Sequence, residues 1–145
     1  MSSAKELFQI DIHELDVEWM NLPQLYYEYA SKLGAARVLF EQAKNHLEEV
    51  KAKLDADIRA NPDVYGVTDD KLTEPRIERI ILTQPEYKQA FKSYLNARKR
   101  YELLKAVVNA LDCKRSALEN LVKLYASQYF MVDGLPNIHK VGGSR

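Results

Sequence analysis

The sequence predicts an all-α protein: a long antiparallel helical hairpin, coiled-coil-like, with short flanking helices, working as an oligomer. Three observations predict it. Apolar residues recur in alternating steps of three and four over two long stretches, residues 22–60 and 85–131. Only five Gly and five Pro occur in 145 residues, and the Pro residues act as punctuation, four of them near the ends of those stretches and Pro75 between them. A hydrophobic share of 46% with 29% charged residues is enough for a core, and excludes both a disordered chain and a membrane protein.

The elements follow in order. Residues 1–21 read as an N-terminal docking segment, a short helix that packs through Leu15, Trp19 and Met20. Asn21 is placed to cap the first long helix, with Pro23 in its first turn and Gln24 at the position that reaches back to the cap. The helix then spans residues 22–60, with Leu33, Ala36, Phe40, Ala43, Leu47, Val50 and Leu54 as its seam and Ile58 one position late. Asn61, Pro62 and Asp63 end it.

Residues 61–84 form the connection. Asp63 to Gly66 is a turn that uses the backbone freedom of Gly66, and Thr73, Glu74 and Pro75 start a short helix carrying Ile77, Ile80 and Ile81. Thr83 to Glu86 reads as a capping box with Pro85 in the first turn. It opens the second long helix, residues 85–131, with Tyr87, Ala90, Tyr94, Ala97, Tyr101, Leu104, Val108, Leu111, Leu118, Val122, Tyr125 and Tyr129 as its seam. Arg115 is the polar intruder, a candidate for setting register or oligomer state. Asp133, Gly134 and Pro136 stop this helix, leaving a tail at 132–145. The whole is expected to form one domain.

A second apolar stripe on the later helix includes Leu103, Val107, Leu121 and Leu124. One antiparallel neighbour covers the seam and leaves this stripe wet, forfeiting about 1.5–3 kcal/mol per large side chain. Either the chain folds into a tighter bundle or the stripe meets another subunit, and the helix lengths favour the subunit.

Charge is unevenly placed although it sums to zero. Residues 1–75 carry a net −7 and residues 76–145 a net +7. An acidic arm and a basic arm could neutralise each other, or the basic arm could serve an anionic partner. Lys88, Lys92 and Lys99 share one face of the second helix, with Arg98, Arg100 and Lys105 near the seam edge; Lys51, Lys53 and Arg59 cluster at the end of the first. Basic grooves with aromatic platforms suit single-stranded nucleic acid, because phosphates attract cations and bases stack on flat rings. Tyr87, Tyr94 and Tyr101 are seam residues, whereas Tyr26, Tyr27 and Tyr29 are freer.

Catalytic patterns are absent. His13, His46 and His139 are scattered, no metal-binding spacing occurs, and there is no phosphate-binding glycine loop. No enzyme activity, metal or cofactor is expected. The single cysteine, Cys113, has no partner in the chain, no apolar run approaches the roughly 20 residues of a membrane span, and the N-terminus lacks a secretory apolar region. A cytoplasmic protein is expected.

The short acidic lead-in with Trp19, the long helix ending in Lys51, Ala52, Lys53, Leu54 and Asp55, the middle connection, and the second helix with Ala110, Leu111, Asp112, Lys114, Ala117 and Leu118 together resemble the phage UvsY-type recombination mediators. The resemblance runs from about Trp19 to Tyr129. It implies a small helical protein that assembles into rings, binds single-stranded DNA, and helps load a RecA-like recombinase onto DNA covered by single-strand-binding protein in the host cytoplasm. It also implies that Lys51 and Lys53 contact DNA, with Lys53 standing where the family has Arg. The alternative reading is a helical scaffold, adaptor or inhibitor that binds protein alone.

Overall fold

A computed structural model describes residues 4–129. The expected stop at Asp133, Gly134 and Pro136, the tail and His139 lie outside the described residues. The elements are α1 (Ala4–Phe8), α2 (Leu15–Ala60), a 3-10 turn at Pro62–Tyr65, α3 (Glu74–Thr83) and α4 (Pro85–Ala126). No strand occurs among the described residues. The long helix α2 packs against α4, and the other helices are short, as the seams predict.

Contacts group the chain into two compact units, one of Met1–Tyr27 with Asn109–Arg145 and one of Glu28–Val108. Both long helices contribute to each.

In the Glu28–Val108 unit, Ala36, Leu47, Leu54 and Ile58 of α2 are buried, as are Ala90 and Val108 of α4. Phe40 of α2 stacks on Tyr101 of α4 and also meets Tyr94, while Leu54 and Ile58 form a core cluster against which Tyr87 packs. Falling numbers on α2 therefore meet rising numbers on α4, and the two run antiparallel here. Leu54 and Ile58 form that cluster with Ile77 and Ile81 of α3, with Val50, Tyr65, Leu72 and Ile80 packed around it. Ile58 and Ile77 are fully buried.

The connection follows its turn chemistry. Gly66 takes the left-handed conformation (φ 79°), and its N–H returns to the carbonyls of Asp63 and Pro62. Thr83 departs from expectation: its hydroxyl donates to the Ile80 carbonyl (2.7 Å), which closes α3 rather than capping α4. Gln84, extended at ψ 136°, is the joint, and its carbonyl accepts the Lys88 N–H of α4.

The other departure is the start of α2. The sequence places it after Asn21, with a separate short helix before; the structure carries one helix from Leu15 through Pro23. Proline in a helix interior removes one hydrogen bond and costs about 3 kcal/mol. In the Met1–Tyr27 unit the buried Leu22 and half-buried Leu15, Glu18, Trp19 and Leu25 hold the helix across that break.

Gly34 lies inside α2, and a Cβ built there meets nothing within 4 Å. Gly34→Ala is expected to stabilise the protein by about 0.5–1 kcal/mol, because Ala loses less backbone entropy in a helix. Thermal unfolding followed by circular dichroism checks it. A fall in stability would mark Gly34 as a place where another backbone approaches.

Candidate nucleic-acid interface

Between Pro85 and Val108, α4 carries six Lys or Arg residues and two Glu, a net +4. No Gly or Pro interrupts the helix after Pro85, so side-chain positions follow the helical period strictly. Lys88, Lys92 and Lys99 fall at steps of four and seven on one exposed face. Arg98, Arg100 and Lys105 are also exposed, on the flanks. None of the six forms an ion pair with a described residue.

The same face carries Phe91, Leu95 and Leu103, which are 40%, 44% and 58% exposed. Phe91 belongs to a run of rings. It stacks on Tyr87 (centroids 6.0 Å, planes 8° apart) and on Tyr94 (6.1 Å, 26°), and Tyr94 leads through Phe40 to Tyr101. The three tyrosines and Phe40 are half-buried, in keeping with their seam positions. Phe91 lies one step off the seam, where the three-four count skips it; three lysines at 88, 92 and 99 around an aromatic at 91 were the available signal.

Lys51, Lys53 and Arg59 do not form one patch. Residues two apart on a helix face different ways. Lys51 lines a groove with Glu78, Ile81, Leu82 and Tyr87. Lys53 lines grooves on another flank, with His46, Glu49 and Glu86 in one and Asp57, Tyr65 and Glu86 in the other. Each is exposed, but with carboxylates beside it.

Arg59 is engaged already, bonding Asp55 (2.8 Å) and Glu74 (2.6 Å). The hydrogen bond to Asp55, then that to Glu74, raises its pKa, and the Arg59 bond holds the Asp55 carboxyl below its ordinary value. Tyr29 is covered by the Lys32 ammonium, 4.8 Å from the ring centroid.

Of the residues expected at an oligomer interface, Leu103 is exposed and Val107 half-buried in the Glu28–Val108 unit. In the other unit Leu121 and Leu124 are both half-buried, while the seam residue Val122 is exposed. Arg115 likewise points outward, 3.8 Å from Asp112. Its neighbour Lys114 is the buried cation, paired with Glu18 of α2 (2.8 Å) and donating to the Leu7 carbonyl (3.3 Å).

Cys113 is exposed, and no group of His, Cys, Asp or Glu among the described residues is arranged to hold a metal. No described helix is long and apolar enough to cross a membrane. Comparison with protein-family models, with characterised proteins and with solved structures finds no match.

Proposed function

We propose that this protein binds single-stranded DNA along the basic face of α4 and acts as a recombination mediator. In that role a homo-oligomer, a ring by the resemblance, would help load a RecA-like recombinase onto DNA covered by single-strand-binding protein. The observation that carries the DNA reading is the set of Lys88, Lys92 and Lys99, unpaired among the described residues and interleaved with an exposed aromatic ring. Cations without a protein partner keep their full charge for phosphates, and a ring beside them offers stacking that only unpaired bases can use. Repetition of this face in an oligomer multiplies a modest affinity per subunit. The mediator role rests on the resemblance alone.

The expected result is salt-dependent, sequence-independent binding to a fluorescent single-stranded oligonucleotide, tighter than to duplex of equal length. Failure to bind at low salt would remove the DNA reading. The exposed Phe91, Leu95 and Leu103 would then favour the second reading, a scaffold whose partner is protein.

A further inference from the structure

We infer that Phe91 is the base-stacking residue of the α4 face, an inference that rests on the DNA-binding reading and names one of its contacts. Five rings, Tyr87, Phe91, Tyr94, Phe40 and Tyr101, are linked by stacking within the Glu28–Val108 unit. Four are half-buried and serve the packing of α2 on α4; Phe91 alone is exposed.

Its setting favours a nucleobase over another apolar partner. Lys88 stands three residues before Phe91 and Lys92 directly after it, so a base lying on the ring brings its phosphates beside two unpaired ammonium groups. Leu95, one turn further on, extends the apolar surface by an aliphatic side chain. Tyr87 and Tyr94 flank Phe91 at centroid distances of 6.0 and 6.1 Å, offset rather than face to face, so they limit its rotamers while 40% of the residue stays exposed. A duplex keeps its bases stacked on each other and offers nothing to the ring, which makes Phe91 the source of preference for single strands.

The test compares the full chain with its Phe91→Ala, Phe91→Leu and Phe91→Tyr variants, using oligothymidylate and an abasic oligonucleotide of the same length and charge. The wild type should prefer the base-bearing strand. Phe91→Ala should lose about 5- to 150-fold in affinity for it, the range of one base–aromatic stack. Affinity for the abasic strand and the slope of affinity against salt should stay as they were. Phe91→Tyr should keep the preference and Phe91→Leu should lose it, while circular dichroism melting confirms that each variant is folded. Equal binding of both strands by the wild type, or an unchanged preference in folded Phe91→Ala, overturns the inference and leaves the DNA reading standing. No binding of either strand by the wild type overturns both.

Discussion

Replacing Lys88, Lys92 and Lys99 together by Ala is expected to weaken binding to single-stranded DNA about 100-fold at 0.1 M salt. Each phosphate neutralised on a single strand contributes about −0.7 to the slope of log affinity against log salt, so three contacts contribute about −2. Relative to 1 M salt, where that contribution vanishes, a slope of about −2 corresponds to roughly 100-fold at 0.1 M. The variant should fold normally, because all three lysines are exposed, none is ion-paired with a described residue, and Ala is a strong helix former. Fluorescence anisotropy at four or five salt concentrations reads both numbers. Lys51 and Lys53, beside Glu78 on one flank and Glu49 and Glu86 on the other, should matter less. A triple variant with the wild-type slope, or a Lys51→Ala, Lys53→Ala double variant with the larger loss, would move the site from α4 to the end of α2.

The ion pairs bear on what the charge asymmetry means. The carboxylates of the acidic half do find cations: Asp55 and Glu74 take Arg59, Asp69 takes Arg76, and Glu18 takes Lys114. These pairs are mostly local, and they leave the six cations between Lys88 and Lys105 without an ion-pair partner among the described residues. Neutralisation of the basic arm by the acidic arm is therefore not what the middle of α4 does.

The seams were readable because a three-four alternation has one physical use, a face that packs along its length. Ala36, Leu47 and Leu54 on α2, and Ala90, Val108, Leu111 and Leu118 on α4, are buried as that alternation requires, and Ile58, one position late, is buried as well. The start of α2 was not readable. Asn21 and Pro23 form a sound local start signal, and only burial of Leu22 with half-burial of Leu15, Glu18, Trp19 and Leu25 shows that packing overrides it. Thr83 is ambiguous in sequence for a similar reason: a threonine between two helices can serve the end of one or the beginning of the next, and here it serves the end of α3.

The polar residue in the α4 seam was placed one position off. Strict alternation after Leu111 leads to Arg115, but Leu111, Lys114 and Leu118 also stand three and four apart. Which of the two cations turns inward depends on what lies across from it, and Glu18 with the Leu7 carbonyl lies across from Lys114. Lysine at such a position brings a long apolar stem and a head that needs acceptors, and sequence spacing alone does not reveal acceptors contributed 96 and 107 residues earlier.

That pair sets the last expected result: Lys114→Met should destabilise the Met1–Tyr27 and Asn109–Arg145 unit by about 2 kcal/mol, less than for a fully buried ion pair because Glu18 is only half-buried. Lys114 is 9% exposed, and its loss leaves Glu18 with one protein partner, the Asp11 N–H at 3.0 Å. Replacing both residues, Lys114→Met with Glu18→Leu, should recover most of the loss, since two apolar side chains need no acceptors. Burial pushes the Glu18 carboxyl up, but the Lys114 and Asp11 hydrogen bonds outweigh it and hold the group below its ordinary value. A lowered pKa stabilises the folded state at pH above the unfolded value, about 4.3, and that stability is lost as the pH falls through the folded value. Urea unfolding of wild type and Glu18→Gln between pH 7 and pH 3 should therefore converge in acid. Single variants as stable as wild type at pH 7 would mean that water reaches the pair, and that α1 is not fastened through the Leu7 carbonyl.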